Sequence, residues 1–453
     1  MGRMEQLLRD AAQRAVRYLR GLPDRPVAAS PQALARLAEL DVPLPDKPMA
    51  DQDVLALLDE VVGPATTAMA GPRYFGFVIG GTLPAALAAN WLAGAWDQNA
   101  ALNQISPGTA AVEEVALRWL VDVLGLPSGT AGGFVTGATM ANLTALAAAR
   151  HAVLAEVGWD VEAQGVFGAP PVTVVVGDEA HPTLLKALAL LGFGRDRVTR
   201  VRADGQGRLR PTLIPALTGP AIICAQAGNV NTGAVDPLAA ICAQAHTDNA
   251  WVHVDGAFGL WAAASPALRE RVDGIGYADS WATDAHKWLN TPYDSGLAFV
   301  RDAAALRAAM GVSAAYLPTE GATRNPSDYT PELSRRARGV EVWAALASLG
   351  RLGLADLIER TCGYARRFAR ELSAAGYPVL NEVVLNQVLV SVGDAGRTAR
   401  VAARIQADGV CWCGSTVWQG RPALRISVSN WSTTDEDVTR SIAAIRTAAE
   451  SAG

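Results

Sequence analysis

The apolar positions along this chain follow two different periods. At the N-terminus, in MGRMEQLLRDAAQRAVRYLR, they recur every three to four residues, as in an amphipathic helix. From about residue 110 to 315, short uninterrupted apolar segments alternate with helix-forming stretches. A strand that is apolar throughout is buried on both faces, so this alternation predicts a mostly parallel sheet between two layers of helices.

The expected elements of this region point to one edge of the sheet. Strands are predicted over 172–176, 221–224, 250–254 and 296–300, and helices over 182–191 and 237–245. In a parallel sheet, ligands bind at the carboxyl ends of the strands. The residues that follow these strands are therefore the first candidates for a site.

The pattern changes again after about residue 345. An alternating strand is predicted over 383–390 and a further strand over 423–428. A final helix is expected over 436–449, with Thr433 or Thr434 as its N-cap. This mixture is typical of a small α+β domain.

These differences predict three regions: a helical arm over 1–71, a large α/β domain over 72–344, and a small α+β domain over 345–453. Six prolines between positions 23 and 48 interrupt the arm, which has little core of its own. We expect it to pack on another domain or on a second subunit.

Composition and charge exclude several classes of protein. The 453 residues are half hydrophobic and 18% charged, which is globular rather than disordered. With 39 basic and 44 acidic residues the net charge is −5, so nucleic acid and anionic membranes are poor partners. The longest apolar stretch, 83–96, is too short to span a bilayer.

The cysteines indicate a reducing compartment. Their number is five, which is odd, and they are spread from position 224 to position 413, unlike a disulfide framework. Cys411 and Cys413 are separated by one residue, which is not a usual zinc spacing, and no metal site is predicted. The charged N-terminus lacks the apolar core of a signal peptide, so we expect a cytoplasmic protein.

The segment SWATDAHK contains one of only three lysines, Lys287, beside Ala285 and Trp288. A lysine in an apolar setting loses its proton more readily and becomes a nucleophile, which a Schiff base requires. On this segment alone, a solvated loop lysine is an equally good interpretation.

A second segment, VHVDGAFG, places Asp255 directly after a predicted strand. An isolated aspartate there more often only caps a turn. Together with Lys287, however, it supplies the two groups that pyridoxal phosphate needs, a lysine for its aldehyde and a carboxylate for its ring nitrogen.

Two further segments add to this set. In GATMANL, the turn Gly137-Ala138-Thr139 opens a helix-forming run whose N-terminus suits an anion, although a simple turn with Thr139 as N-cap also fits. In DEAH, His181 follows a strand and offers a flat ring, although a lone histidine is more often structural. Together, the four segments provide a phosphate cradle, a stacking ring, a nitrogen partner and a Schiff-base lysine.

In this order, GATMANL, DEAH, HVDGAFG and DAHKWL resemble the group II pyridoxal-phosphate-dependent decarboxylases of the fold-type I (aspartate aminotransferase) superfamily. This family includes aromatic-L-amino-acid, glutamate and tyrosine decarboxylases. The resemblance runs from about residue 72 to the C-terminus. It implies pyridoxal 5'-phosphate as cofactor, a large domain with a mostly parallel central sheet, and a homodimer with its active site at the subunit interface.

The resemblance also implies roles for single residues. Lys287 would form the Schiff base and Asp255 would bind the pyridine nitrogen. His181 would stack on one face of the ring, and Ala257 would touch the other. Ala138 and Thr139 would hold the phosphate through backbone N–H groups and the threonine hydroxyl, with help from His286. Gly137 and Asp284 complete the expected cofactor-binding set. Asp284 departs from the aromatic-acid branch, which often has asparagine there, and is expected to alter the phosphate contacts or the surroundings of the lysine.

Tyr316, in AAYLPT, matches a mobile-loop tyrosine that closes over the active site, usually of the neighbouring subunit. In the family this tyrosine is thought to return a proton to the substrate after carbon dioxide leaves, and members with phenylalanine there tend to be aldehyde synthases. Proline, glycine and polar residues continue to Thr330, which is typical of a long lid. A solvated loop aromatic is the alternative.

Four positions match the substrate pocket of the family: Phe77, Val78, Asn99 and Ala101. This pocket is less aromatic on one side than in enzymes for aromatic acids. Arg425, in PALRISVSN, matches an arginine that binds the substrate carboxylate in related aminotransferases.

We therefore predict decarboxylation of an L-amino acid to its amine and carbon dioxide, with an aromatic substrate somewhat favoured. A carbon–carbon lyase or aldehyde synthase on the same scaffold, or an aminotransferase, remains the alternative. A non-catalytic protein that binds the cofactor is the least favoured interpretation, since none of the expected cofactor-binding residues is replaced by a residue that could not serve.

Overall fold

A computed structural model describes residues 2–312 and 324–452. Over these ranges the chain forms ten strands: β1 Ala131–Val135, β2 Thr173–Gly177, β3 Thr199–Val201, β4 Ala221–Gln226, β5 Trp251–Asp255, β6 Ser280–Asp284, β7 Gly296–Val300, β8 Gln387–Val390, β9 Gly414–Trp418 and β10 Arg421–Ser427.

The same ranges contain fourteen α-helices: α1 Gly2–Gly21, α2 Pro31–Arg36, α3 Asp51–Leu57, α4 Gly63–Ala65, α5 Pro84–Trp96, α6 Pro107–Val123, α7 Ala138–Ala155, α8 Val161–Gln164, α9 Pro182–Leu190, α10 Leu238–Thr247, α11 Ala303–Met310, α12 Arg338–Ala374, α13 Ala395–Asp408 and α14 Asp435–Ser451. Short 3-10 turns lie at Leu37–Leu40, Pro211–Leu213, Gly259–Ala264, Arg269–Val272, Ile275–Tyr277 and Pro326–Tyr329, with a π turn at Leu58–Val62.

Strands β1 to β7 form one sheet in the order β1-β7-β6-β5-β4-β2-β3. The five strands from β6 to β3 are parallel, whereas β7 runs antiparallel to both of its neighbours. Along β4, Ile222 and Cys224 pack into one core layer while Ile223 packs into the other. The predicted sheet, mostly parallel and buried on both faces, is therefore confirmed.

The sequence located some strands better than others. Strand β7 matches its predicted bounds, but it pairs antiparallel because it returns directly from β6. Strands β1 and β6 were missed, because AGGFV holds two glycines and SWATD holds three polar residues, so neither is a typical strand segment.

The prediction for 383–390 is wrong in its first half, since β8 begins only at Gln387. Val383 has a φ of 50°, which is incompatible with a regular strand. The Asn386 side chain then donates to the carbonyl oxygen of Val428 and contacts Ser429 Oγ, both at 3.0 Å. These bonds hold the segment in an irregular path.

The C-terminal part has its own three-stranded antiparallel sheet, in the order β8-β10-β9. A second core lies between this sheet and helices α12, α13 and α14. Thr434 caps α14 in a reciprocal box with Asp437, which confirms one of the two expected N-caps. The proposed division into three regions stays a prediction.

Helix α1 buries none of its side chains, although one side of it is apolar. Met4 and Leu8, for example, are 64% and 58% exposed. No helix in the described ranges combines the length and the apolar character that crossing a bilayer requires.

Candidate active site

Lys287 lies just beyond the end of β6, in a turn anchored by buried neighbours. Ala285 and Trp288 on either side are fully buried, and the Trp288 indole donates to Thr361 Oγ1 at 2.9 Å. The lysine Nζ lies 3.0 Å from Asp284 Oδ2, and 21% of its side chain is exposed. The amine is therefore fixed in direction and still accessible to a ligand.

Asp255 ends β5, the strand next to β6, and is 4% exposed. Its Oδ2 accepts from Asn142 Nδ2 at 3.1 Å, and its Oδ1 accepts from the backbone N–H of Ala257 at 3.2 Å. Burial raises the pKa of Asp255, while the charges of His181 and Lys287 and these two donors oppose the rise. The site thus holds a carboxylate whose ionised form is supported by donors.

His181 is the N-cap of α9, which it caps through its own ring. Its Nδ1 accepts from the Thr183 N–H at 3.3 Å and lies 2.7 Å from Thr183 Oγ1. Burial lowers the pKa of His181, and the charge of Asp255 partly counteracts this effect. Both contacts fix the ring plane near Asp255 and Lys287, as the predicted stacking role requires.

The turn Gly137-Ala138-Thr139 opens α7, which has no side-chain cap of its own. Instead, the Ala138 N–H donates to Asp284 Oδ1 at 2.6 Å. A Cβ on Gly296 would lie 2.4 Å from the Cα of Gly137, so only glycine allows β7 to approach this turn. The start of α7 is therefore packed tightly against the ends of β6 and β7.

His286 borders the same turn. Its Nε2 lies 3.5 Å from Asp284 Oδ1, and its Nδ1 accepts from the Ser295 N–H at 3.1 Å. The ring stacks on Tyr293 at a centroid distance of 4.3 Å, and burial lowers the pKa of His286. The N-terminus of α7, His286 and Lys287 thus all lie around the Asp284 carboxylate.

An aromatic wall lies on another side of the site and consists of Tyr74, Phe77 and Trp412. Tyr74 stacks on Trp412 with centroids 5.0 Å apart, and Phe77 lies 5.5 Å from the same indole. Burial raises the pKa of Tyr74 to about 12, and the charge of nearby Arg425 opposes this. The charge of Arg425 also lowers the pKa of His181, so Arg425 lies near both the wall and His181.

The backbone under this wall is strained. Phe77 and Val78 have φ values of 53° and 55°, in the left-handed region that a β-branched residue rarely occupies. Phe77 is 62% exposed, whereas Val78 is buried in the main core. Of these two predicted pocket residues, Phe77 is the one whose side chain is accessible.

The other two predicted pocket residues contact a different part of the chain. Asn99 is exposed and pairs with Ser334 Oγ at 3.4 Å and the Arg335 N–H at 3.3 Å. The carbonyl of buried Ala101 accepts from the Ser327 N–H at 3.0 Å. These hydrogen bonds join Asn99 and Ala101 to residues 327–335. Tyr316 lies outside the described residues.

Sequence reasoning missed Asn142 and Trp412. Asn142 stands within the GATMANL segment, but a helical asparagine is usually on a surface, and here it is fully buried beside Asp255. Trp412 lies far along the chain and meets Tyr74 through an isolated β-bridge. No sequence signal points to that contact.

These residues fit a phosphorylated pyridine aldehyde. Lys287 suits the aldehyde, the buried Asp255 suits a protonated ring nitrogen, and the α7 N-terminus suits a phosphate. In the described ranges no group of three or more histidine, cysteine or acidic side chains is arranged to hold a metal ion.

Residues 31–392 match the family described as the pyridoxal-dependent decarboxylase conserved domain. Two relatives are an L-2,4-diaminobutyrate decarboxylase of Rhizobium meliloti (31% identical, over 80% of this chain and 74% of that protein) and tryptophan decarboxylase 1 of Oryza sativa (29%, 82% and 78%). The structure of Oryza sativa TDC with PLP and tryptamine superposes with a TM-score of 0.90 at 24% identity, covering 99% and 98% of the two chains.

Proposed function

Because this chain belongs to the pyridoxal-dependent decarboxylase family, we propose that it decarboxylates an aromatic L-amino acid at the site around Lys287. Family membership confirms the predicted cofactor, pyridoxal phosphate, and the predicted reaction, amino acid decarboxylation. The fold-type I architecture is confirmed as well. The proposal adds the substrate class and the roles of single residues.

The observation that carries the substrate class is the aromatic wall. Trp412 is flanked by two further aromatic rings, and one of them, Phe77, is open to solvent. Such a surface favours a flat ring, since stacked and edge-to-face pairs are attractive beyond simple burial. That a relative is a tryptophan decarboxylase supports this choice.

When bound, the cofactor supplies an electron sink for the bonding pair released as carbon dioxide leaves. Lys287 would hold its aldehyde, and Asp255 would hold the proton on its ring nitrogen. His181 and Ala257 would fix the orientation of the ring. The start of α7 and His286 would hold the phosphate, with Asp284 beside them.

Tyr316 is proposed to return a proton to the substrate carbon. In air-saturated buffer, replacing it by phenylalanine should shift the product from the amine toward the aldehyde. Without the proton donor, the electron pair left by carbon dioxide goes to dissolved dioxygen, which is reduced to hydrogen peroxide, and hydrolysis then releases the aldehyde and ammonia. Both products are measured by mass spectrometry. If the ratio of aldehyde to amine is unchanged, this role of Tyr316 is wrong.

We also propose a homodimer in the cytoplasm. Helix α1 has an exposed apolar side, and α5 exposes Trp91, Leu92 and Trp96 at 43%, 54% and 50%. Exposed apolar surface of this kind is typically buried against a second copy of the same chain. All five cysteines are buried and unpaired, which supports a reducing compartment.

The central experiment incubates the purified, cofactor-loaded enzyme with single L-amino acids and follows carbon dioxide and amine by mass spectrometry. We expect stoichiometric amine from aromatic substrates and none from a Lys287→Ala variant. Amine formed only from a basic amino acid such as 2,4-diaminobutyrate would overturn the substrate class. If the unmodified enzyme forms no carbon dioxide from any of the amino acids, the assignment of the site is wrong.

A further inference from the structure

Behind Asp255 lies a continuous line of buried polar groups that the reaction itself does not touch. Asn142 Oδ1 lies 2.8 Å from His253 Nε2, and His253 Nδ1 lies 2.9 Å from Ser280 Oγ. The Trp251 indole N–H donates to the same Ser280 oxygen at 2.8 Å. We call these four residues, Trp251, Ser280, His253 and Asn142, the relay.

The direction of every hydrogen bond in the relay follows from its two ends. An indole N–H can only donate, and an ionised carboxylate can only accept. Asn142 must therefore turn its amide N–H toward Asp255, and its oxygen then accepts from His253 Nε2–H. It follows that His253 Nδ1 accepts from the Ser280 hydroxyl, which in turn accepts from the indole of Trp251.

The relay carries no net charge. Asn142, His253 and Ser280 are all fully buried, and burial lowers the pKa of His253 to about 3, so the imidazole is neutral at physiological pH. All four donors nevertheless point along one path toward Asp255 Oδ2. Aligned hydrogen bonds polarise one another in a low-dielectric interior, so the last donor is stronger than an isolated amide.

We propose that the relay residues Asn142, His253 and Ser280 are positioning residues that keep Asp255 ionised, and thereby hold the proton on the ring nitrogen of the cofactor. This inference rests on the proposed role of Asp255. Of Asp255 and the ring nitrogen, the proton goes to the group that is less well stabilised in its unprotonated form. Removing donors from Asp255 would move that proton from the nitrogen to the carboxylate.

The test compares two ligands of the full-length, cofactor-free protein: pyridoxal phosphate and its deaza analogue, in which a C–H replaces the ring nitrogen. Only the first can form the ion pair with Asp255. The dissociation constant of the deaza analogue divided by that of pyridoxal phosphate therefore measures how much the ion pair stabilises binding. This ratio is independent of turnover.

Asn142→Leu removes the donor to Asp255 with little change of volume, and we expect it to reduce the ratio by about tenfold to hundredfold, as for other hydrogen bonds to charged groups. Ser280→Ala, two bonds further away, should reduce it less but in the same direction. Thr144→Val is the matched control, because Thr144 is a buried polar residue of the same helix that bonds only the Met140 carbonyl. It should leave the ratio unchanged.

An unchanged ratio in both Asn142→Leu and Ser280→Ala, or an equal loss of affinity for both ligands, would mean that the relay only supports the fold and would overturn the proposal. If Asn142→Leu does not fold, Ser280→Ala decides. Absence of any preference for pyridoxal phosphate in the unmodified protein would instead refute the role of Asp255 itself.

Discussion

The carboxylate of Asp284 should weaken the binding of the phosphate group of the cofactor. Its Oδ1 accepts from the Ala138 N–H at 2.6 Å, so it already uses the first donor of α7. A phosphate that binds the remaining N–H groups of the same first turn lies within about one helical pitch, roughly 5 Å, of that oxygen. Two anions would then share one helix N-terminus.

The size of the effect follows from Coulomb's law. Two unit charges about 5 Å apart repel by about 3 kcal/mol at an effective dielectric of about 20. The Ala138 N–H that donates to the carboxylate offsets part of this repulsion. Since about 1.4 kcal/mol corresponds to a factor of ten, we expect Asp284→Asn to bind pyridoxal phosphate about tenfold to hundredfold more tightly. Asparagine keeps an oxygen for the Ala138 N–H, so the turn itself should persist.

The assay titrates cofactor-free protein with pyridoxal phosphate and with pyridoxal, which lacks the phosphate, and follows the absorbance of the bound ring. The gain should appear with pyridoxal phosphate only. Asp122→Asn, a change of an exposed carboxylate that pairs with Arg351, serves as the control and should change neither affinity. Equal gains with both ligands, or weaker binding of pyridoxal phosphate by Asp284→Asn, would refute the repulsion argument.

Three further predictions concern stability and substrate binding. Arg73→Met should lower the free energy of unfolding, measured by urea titration, by about 3–5 kcal/mol. The reason is that Asp437, which lies 3.0 Å from the Arg73 guanidinium, would stay buried without its cation. A loss below about 1 kcal/mol would contradict this. Trp412→Ala should raise KM for an aromatic amino acid about tenfold with little change in kcat, whereas an equal rise for an aliphatic substrate would remove the stacking role. Because the pKa of His253 is about 3 when folded and about 6.5 when unfolded, the unfolded chain binds more protons between these values. The protein should therefore lose stability as pH falls from 6.5, by about 1.4 kcal/mol per pH unit from this group, and urea titrations of His253→Gln should show a correspondingly flatter dependence.

The sequence sufficed to single out Asp255 and Lys287, although it missed β6, the strand that positions Lys287. Asp255 is the last residue of β5 and Lys287 lies three residues beyond β6, and the two strands are neighbours, with Asp255 in register with Ala282. A parallel sheet brings the carboxyl ends of its strands to one edge. The two residues, separated by three 3-10 turns and β6, therefore lie at the same edge of the sheet.

The sequence did not suffice for contacts that join distant elements by their sides. Asn142 belongs to α7 and reaches Asp255 across the sheet, 113 residues later. Trp412, which lies between α13 and β9, reaches Tyr74 in the segment before α5 through an isolated bridge. Neither contact follows from periodicity, because periodicity gives the buried face of an element but not the partner of that face.

The two carboxylates of the site are stabilised in different ways, and this difference has a consequence for how the cofactor is held. Asp255 is supported by the charges of His181 and Lys287 and by two neutral donors, Asn142 and the Ala257 N–H. Asp284 has one neutral donor among the described residues, the Ala138 N–H, and lies 3.0 Å from the Lys287 amine. Lys287 would no longer be an ammonium partner of either carboxylate once it holds the aldehyde. Asp255 then keeps two neutral donors and Asp284 keeps one, so we expect changes of charge at the phosphate end to alter affinity more than changes at the ring end.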